Sequence, residues 1–371
     1  MKRILTGLLL LALLLALAAC GETQQAKSGA APWVEGAWTW KLENGVLTVS
    51  GTGNMAKFGY YTETPWYSQR DAIRAVVIEE GITGVGACSF TDCSKLVDLK
   101  IPSGVTEIGD WAFSNCDLRE LDLPSGLKRL GDYSFAGNNN LKAVGLPKGL
   151  VRIGGHAFDT CTGLETIEIP AGVKEIGEGL FSYCLSLHTI SLDPKNKDYV
   201  LKDGVLFTQD GKTLLAYPAA KSGTSYIVPN GTTRIGEGAF DGCASLTSID
   251  LPGSLVSMGS DAFARCKHLR RMDIPEGVTA ISFGLFRQNT DLEEVDLPES
   301  LESIDDGAFT SCRKLKELRI PAGVTEIGYA AFSNCKSLKQ VYYGGSAAQW
   351  AQVDIKDKNA ELLQASIHYN A

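Results

Sequence analysis

Cysteine is the residue type in this 371-residue chain that could support the widest range of chemistry. The chain has ten cysteines, and eight of them lie three residues after a phenylalanine. Asparagine takes the same position in two further copies of the pattern. Buried thiols at a fixed spacing can hydrogen-bond the backbone, form disulfides or bind zinc. The ten positions are Cys93, Cys116, Asn138, Cys161, Cys184, Cys243, Cys266, Asn289, Cys312 and Cys335.

Cysteine and asparagine share a small size and an ability to hydrogen-bond backbone groups. The pattern therefore favours an internal structural ladder that satisfies the amides of successive turns. Disulfides are the alternative, because the cysteines form couples in adjacent repeats, such as Cys93 with Cys116. Parallel Cβ vectors about 4.8 Å apart suit such bridges poorly. The sequence contains no Cys-x-x-Cys pair, which is the spacing typical of a zinc site. Cys88 lies outside the ladder and is either half-buried or a free thiol.

A second group of candidate residues is acidic. Asp250, Asp273 and Asp296 occupy the same position in three consecutive repeats, so their carboxylates should stack on one face. Arg270 and Arg271 lie beside them and partly compensate their charge. The pattern fits a solvated face with local ion pairs, a docking strip for a basic partner or a weak Ca²⁺ site. These five residues are the candidate ligand-binding residues.

Aromatic residues outside the repeats could also bind a ligand. Five of the six tryptophans lie there, close to three tyrosines in the N-terminal part of the chain. Such a group could form a platform on which sugars stack, but the small core of a terminal cap is the favoured interpretation. The residues are Trp33, Trp38, Trp40, Trp66 and Trp350, with Tyr60, Tyr61 and Tyr67.

Catalytic chemistry finds little support in the sequence. The four histidines lie at unrelated positions, and neither a Gly-x-Ser-x-Gly nor a His-Glu-x-x-His motif is present. Gly211-Lys212-Thr213 imitates the end of a phosphate-binding loop, but Leu206 stands where the first glycine is needed. We therefore predict that the protein is not an enzyme and holds neither a cofactor nor a metal ion.

The ladder residues and the acidic candidates are positioned by a repeat that occurs ten times, mostly at intervals of 22 or 23 residues. The unit reads L-x-x-φ-x-φ-P-x-G-φ-x-x-I-G-x-x-A-F-x-x-C, where φ is apolar. Its alternating part predicts a short strand, which proline ends because it has no N–H to donate. A second short strand and a helical or 3₁₀ turn with an inward Phe follow. One unit cannot bury its apolar face alone, so the units must stack into a β-rich solenoid.

The N-terminus has the features of an export signal. Lys2 and Arg3 precede twelve consecutive Leu or Ala residues, a run too short for a spanning helix. The run ends in Leu17-Ala-Ala-Cys20-Gly21, which resembles the bacterial lipobox. That resemblance implies diacylglycerol on Cys20 and cleavage before it, whereas the alternative is an ordinary secretory signal with a chance cysteine.

The repeat itself resembles the BspA-type leucine-rich repeat of bacterial cell-surface lipoproteins. The shared unit, I-P-x-G-V-x-x-I-G-x-x-A-F-x-x-C-x-x-L, covers residues 73–343. The flanks are similar too, with Pro65-Trp66-Tyr67 before the array and Gln349-Trp350 after it. The resemblance implies a right-handed leucine-rich-repeat solenoid, capped at both ends and exposed on a cell envelope. Some members of the family bind host or matrix proteins.

The longest interval between repeat phenylalanines, from Phe181 to Phe240, predicts one coil enlarged by an insertion. Two apolar runs flank Asp210-Gly211 there, which predicts a β-hairpin that projects from the coil. The expected segments are a lipoprotein signal peptide (1–19), a flexible tether (20–32), an N-terminal cap with a hairpin (33–72), a first array (73–192), a hairpin insertion (193–225), a second array (226–343) and a C-terminal cap (344–371).

The charge balance limits the class of partner. With 35 Lys and Arg against 43 Asp and Glu, the net charge of −8 argues against general binding to nucleic acid or anionic lipid. We expect a monomer that touches the membrane only through its lipid anchor. The favoured function is non-catalytic binding of an extracellular protein or glycan, as in adhesion. A structural envelope spacer without a specific ligand is the alternative.

Overall fold

The computed structural model describes residues 27–30 and 38–371, with side chains from residue 38 onward. It is a β-solenoid of about thirteen turns with little helix, which confirms the predicted leucine-rich-repeat solenoid. The expected signal peptide, Cys20 and Trp33 lie outside the described residues. Within residues 27–30 and 38–371, no helix is long and apolar enough to cross a membrane.

Each coil begins with a short strand, and in most coils a buried residue of this strand lies between exposed ones, as in Glu294–Asp296. Strands of adjacent coils pair in parallel, so equivalent side chains form columns. We call the exposed side of these strands the strand face. The first strands are β5 (Ala75–Ile78), β7 (Asp98–Lys100), β9 (Glu120–Asp122), β11 (Ala143–Gly145), β13 (Thr166–Ile169), β15 (Thr189–Leu192), β19 (Ser225–Ile227), β21 (Ser248–Asp250), β23 (Arg271–Asp273), β25 (Glu294–Asp296), β27 (Glu317–Ile320), β29 (Gln340–Tyr343) and β31 (Ser366–Tyr369).

A proline turn leads to the second strand of the coil. In one such turn the amide of Leu255 donates to the carbonyl of Pro252, 3.0 Å away. The second strands are mostly two residues long and also pair in parallel. They are β4 (Gly53–Asn54), β6 (Ile82–Val85), β8 (Glu107–Ile108), β10 (Arg129–Leu130), β12 (Arg152–Ile153), β14 (Glu175–Ile176), β18 (Thr213–Ala216), β20 (Arg234–Ile235), β22 (Ser257–Met258), β24 (Ala280–Ile281), β26 (Ser303–Ile304), β28 (Glu326–Ile327) and β30 (Asp354–Ile355).

The third side of each coil is a turn around the buried repeat phenylalanine. Neighbouring phenylalanine rings stack with centroids 5.1–6.3 Å apart. Trp66 extends the first stack beyond Phe90, and Tyr217 extends the second beyond Phe240. The solenoid therefore has two aromatic stacks and two hydrophobic cores, one for each array.

Two positions in every turn have left-handed backbone, which costs an L-residue about 1–2 kcal/mol. They direct alternate amides to the next coil, where the amides of Trp111, Phe113 and Asn115 donate to every second carbonyl, those of Asp132, Ser134 and Ala136. The upstream column, two residues before each phenylalanine, is Cys88, Trp111, Tyr133, His156, Gly179, Gly238, Asp261, Gly284, Gly307 and Ala330. The downstream column, two residues after it, is Asp92, Asn115, Gly137, Thr160, Tyr183, Gly242, Arg265, Gln288, Ser311 and Asn334.

The insertion is a three-stranded antiparallel meander of β16 (Tyr199–Lys202), β17 (Val205–Thr208) and β18. A hairpin turn does lie at Asp210-Gly211, but the expected projection away from the coil is wrong. Phe207 is fully buried, and β18 pairs in parallel with β20 of the next coil. The apolar runs of the insertion fill the space between the two arrays, which is why they do not protrude.

The segment before the first coil is a hairpin of β2 (Trp38–Glu43) and β3 (Val46–Gly51), with β3 parallel to β5. Its turn is Asn44-Gly45, which favours tight hairpins. The prediction of a flexible tether over residues 20–32 is wrong for Lys27–Ala30. These residues form the strand β1, which pairs with the open edge of β2. Two 3₁₀ helices, Tyr61–Glu63 and Tyr67–Ala72, lead into β5.

The C-terminal segment adds the short helices α1 (Ala347–Trp350) and α2 (Ala360–Leu363). Ser346 and Gln349 form a capping box at the start of α1. Between and after the helices, β30 and β31 pair with β28 and β29.

Candidate functional site

The strand face of the second array carries the acidic candidates. Asp250, Asp273 and Asp296 are the last residues of β21, β23 and β25, and each is exposed. Asp273 and Asp296 are direct partners in the parallel register, so their carboxylates lie one above the other. We call these three residues, together with Glu294 and Arg271, the acidic strip.

Arg271 occupies the centre of the acidic strip. Its Nε lies 2.7 Å from Asp273 Oδ1, its Nη1 3.0 Å from Glu294 Oε1 and its Nη2 2.6 Å from Asp296 Oδ2. The hydrogen bond to Asp273 raises the pKa of Arg271, with help from the other two carboxylates. Arg270 is exposed and makes no ion pair with the residues that the structure describes. Four carboxylates against one guanidinium leave the strip negatively charged.

The strip does not have the geometry of a cation site. In residues 38–371 no three His, Cys, Asp or Glu side chains converge as metal ligands would. Its side chains are exposed, and the ion pairs they form are worth little to stability. The chemistry that remains is long-range attraction of a basic partner.

The ladder residues lie inside the solenoid and do not reach the surface. Six of the thiols donate to the carbonyl of the phenylalanine in the preceding coil, with sulfur–oxygen distances of 3.0–3.3 Å. Asn138 reaches the same kind of carbonyl, that of Phe113, at 2.9 Å. Asn289 is fully buried, and neither polar atom of its side chain has a partner among the described residues. The six thiols are Cys116, Cys161, Cys184, Cys266, Cys312 and Cys335.

Burial also determines the reactivity of these cysteines. It raises the pKa of Cys161 and of Cys335 to about 12. The nine described cysteines are free thiols. A neutral buried thiol is a poor nucleophile, so the geometry is that of a packing element. Cys88 belongs to the upstream column, is half-buried and has a raised pKa, first because of burial.

The tryptophan candidates that the structure describes lie at the two ends of the solenoid, three in the N-terminal part and Trp350 in the C-terminal part. Trp38, Trp40 and Trp66 are buried around the first aromatic stack, and Trp350 packs on Tyr343. The faces of Trp38, Trp40 and Trp66 are therefore not available as a sugar platform, whereas Trp350 is half-buried. Trp111, which was not among the residues predicted from the sequence, is 40% exposed.

Trp111 belongs to a stack of three rings in the upstream column. The Trp111 and Tyr133 rings are 4.0 Å apart, and the Tyr133 and His156 rings are 4.5 Å apart. Their regular spacing in the repeat, two residues before each phenylalanine, is the signal that could have revealed them. The stack ends at the junction between the arrays, where His156 Nε2 lies 3.3 Å from Glu237 Oε1.

Further charged residues, which no sequence pattern predicted, lie near this junction, and one pair of them links the two arrays. Glu178 pairs with Arg234 at 2.8 Å. Asp241 is almost fully buried and accepts from Arg265, with Nε 2.8 Å from Oδ1. Burial raises the pKa of Asp241 to about 6, although Arg265 opposes the shift. The buried carboxylate of Asp241 is therefore paired, as charged groups almost always are when they are buried.

Comparison with known families identifies the class of the chain. The family model described as the BspA type leucine rich repeat region matches it in six copies, over residues 65–193 and 216–339. These ranges cover more than half of the chain, so the protein belongs to the BspA-type leucine-rich-repeat family. A search of curated proteins finds no match.

Several solved structures are similar over most of their length. A leucine rich cell surface protein of Faecalibacterium prausnitzii A2-165 is 26% identical, with a TM-score of 0.70 over 90% of this chain and 99% of that one. A leucine-rich repeat protein of Eubacterium ventriosum is 26% identical, with a TM-score of 0.63 over 83% and 95%. The pneumococcal vaccine antigen PcpA is 20% identical, with a TM-score of 0.68 over 92% and 97%, and supports the fold alone.

Proposed function

We propose that this protein is a non-catalytic lipoprotein of the bacterial cell surface whose solenoid binds protein or glycan ligands in adhesion. Membership of the BspA-type family and the likeness to a cell surface protein of Faecalibacterium prausnitzii support the location. The lipobox-like sequence at Cys20 supports a lipid anchor. A solenoid presents a long ordered surface, which suits extended ligands.

The acidic strip is the observation that carries this proposal. Its side chains are exposed and contribute little to packing, yet three aspartates occupy one column in consecutive coils. A basic segment of a partner protein would be attracted to this strip and aligned along the column. The proposed ligand-binding residues are Asp250, Asp273 and Asp296, with Arg270 and Arg271 modulating the charge.

The test is a binding survey of purified protein against arrays of matrix proteins, cell-surface proteins and glycans. Saturable binding to a basic protein that weakens in the Asp250→Asn, Asp273→Asn, Asp296→Asn triple variant supports the proposal. Binding by the triple variant equal to that of the wild type removes the strip from the mechanism. If no array member binds saturably, the protein is a structural spacer of the envelope instead.

A further inference from the structure

The junction between the two arrays opens into a cleft of about 200 Å³ on the turn side of the solenoid. Tyr183 belongs to the last coil of the first array, whereas Gly242 and Arg265 belong to the first two coils of the second. All three are in the downstream column, so the cleft interrupts a column that runs along the whole solenoid. Nothing in the acidic strip contributes to its lining.

Small residues line part of this space, namely Gly242, Ala244 and Ala219 of the insertion. An added Cβ at Gly242 would lie 2.7 Å from Leu185 Cδ2, so Leu185 packs directly against this glycine at the edge of the cleft. The insertion separates β15 from β19, which do not pair.

Two basic side chains, Arg265 and Lys267, line the cleft, and Arg265 is already paired with a carboxylate. The guanidinium carbon of Arg265 lies 4.5 Å from the centre of the Tyr183 ring, and Asp241 binds its Nε and Nη2. Its Nη1 makes no hydrogen bond with the described residues. Lys267 lines the same cleft, is exposed and makes no ion pair with residues 38–371. An unpaired ammonium beside a fixed guanidinium suits a carboxylate.

The walls of the cleft are apolar and aromatic. Tyr183 and Leu185 form one side, and Leu185 is 40% exposed although it is a large hydrophobic residue. Ser245 adds one hydroxyl at the rim. The volume is below the range of about 300–1,000 Å³ typical of sites for drug-sized ligands, so the cleft accepts a single ring-sized group.

From this arrangement we infer that the cleft binds one acidic sugar residue, of the uronic or sialic acid type, at the end or along the side of a glycan. The carboxylate pairs with Lys267 and Arg265 Nη1, the apolar face of the ring lies against Tyr183 and Leu185, and a sugar hydroxyl bonds Ser245. A peptide carboxylate would use the two cations but not the ring-shaped apolar wall, which is why the sugar is favoured. The site goes beyond the proposed function, because it needs no residue of the acidic strip.

The inference is tested by ligand-observed NMR of the purified protein with sodium D-glucuronate, N-acetylneuraminate, D-glucose and a short polyglutamate peptide. We expect saturation transfer to at least one acidic sugar and at least tenfold weaker binding of glucose. Lys267→Gln should weaken binding of the acidic sugar about tenfold, because one charge-assisted hydrogen bond is lost. Ala244→Phe, which fills the cleft without changing its charge, should abolish binding.

The matched control is Lys336→Gln. Lys336 is exposed and occupies the position of Lys267 in another coil, far from the cleft. Its replacement should leave binding unchanged, as should the Asp250→Asn, Asp273→Asn, Asp296→Asn variant of the strip. The inference is overturned if no acidic sugar binds, if glucose binds equally well, if polyglutamate binds more tightly than both acidic sugars, or if Lys336→Gln weakens binding as much as Lys267→Gln. Equal thermal midpoints for all variants establish that they fold.

Discussion

The backbone amide of Leu118 donates to the side-chain oxygen of Asn138, 3.2 Å away in the next coil. In the nine other coils a leucine lies three residues after the ladder residue and donates its amide to that residue's carbonyl, as Leu96 does to Cys93 at 2.8 Å. The coil of Cys116 is one residue shorter, so Leu118 has no such carbonyl. Asn138 therefore compensates for a deletion that a thiol could not repair.

We predict that the two ladder asparagines differ in their contribution to stability. Asn138→Cys should lower the free energy of unfolding by about 1–3 kcal/mol, because the amide of Leu118 is left buried without an acceptor. Asn289→Cys should be neutral or stabilising by up to about 2 kcal/mol, because both polar atoms of Asn289 lack partners. Urea unfolding midpoints at an unchanged slope provide the measurement. Equal destabilisation by the two substitutions would show that the asparagines are equivalent.

The left-handed backbone of the upstream column leads to a second prediction. Ala330 has a φ of 54° and Gly307, in the same column one coil earlier, a φ of 65°. Ala330→Gly should stabilise the protein by about 0.5–1 kcal/mol, because the relief of left-handed strain exceeds the entropy that glycine adds to the unfolded chain. Gly307→Ala should destabilise it by about the same amount, since an added Cβ meets only Thr310 Oγ1 at 3.6 Å. Thermal midpoints that shift in the same direction for both substitutions would contradict this reasoning.

The sequence was sufficient to predict the solenoid, because every coil repeats the same buried positions and each repeat can be compared with nine others. Asn138 and Asn289 look identical in that comparison. Only the missing residue after Cys116 distinguishes them, and its effect depends on a hydrogen bond between coils. A periodic pattern reveals the buried positions that all coils share. It does not reveal the different roles of the two asparagines, because these depend on the residue missing after Cys116.

The junction between the arrays was beyond prediction for a related reason. Glu178 and Glu237 are 59 residues apart, yet the amide of Glu237 donates to Glu178 Oε2 at 3.3 Å. The intervening insertion has no counterpart in the other coils, so no periodicity indicates that Tyr217 takes the place of a repeat phenylalanine. The acidic strip was visible because it follows the period, although the bridging position of Arg271 among its carboxylates was not.

A third prediction concerns pH. Burial alone would lower the pKa of His156, but the hydrogen bond and charge of Glu237, with Asp159 and Asp132, raise it overall. A histidine whose pKa is raised by folding stabilises the folded state below its unfolded pKa of about 6.5, and this contribution is lost as the pH rises through the higher folded value. Glu237→Gln should therefore destabilise the protein more at pH 6 than at pH 8.5, by about 0.5–1 kcal/mol.

The control for this pH effect is Glu175→Gln. Glu175 pairs with Arg152 at 4.0 Å, and arginine keeps its charge over the whole range. The effect of Glu175→Gln on the free energy of unfolding should not differ between pH 6 and pH 8.5. A pH-independent effect of Glu237→Gln would mean that His156 is not protonated against this carboxylate.

The fourth prediction concerns the proposed lipid anchor. Cys20→Ala should move the protein from the membrane fraction to the soluble extracytoplasmic fraction, since a diacylglycerol on this residue is the expected attachment. The solenoid should be unaffected, with the same thermal midpoint, because the cysteines of the ladder are internal. Cys88→Ala is the matched control, as it removes a half-buried thiol from the turn and should leave the protein in the membrane fraction. Retention of the Cys20→Ala protein in the membrane would favour another means of attachment.

The last prediction concerns Arg271, which neutralises part of the acidic strip. Arg271→Gln should make the strip more negative and tighten the binding of an oligolysine peptide, with a steeper dependence on salt concentration. Its effect on stability should be small, because the ion pairs are exposed. Arg129→Gln changes the total charge equally but lies on a second strand, so it should not alter binding. If both substitutions tighten binding equally, the peptide responds to the charge of the whole protein and the strip is not a distinct docking surface.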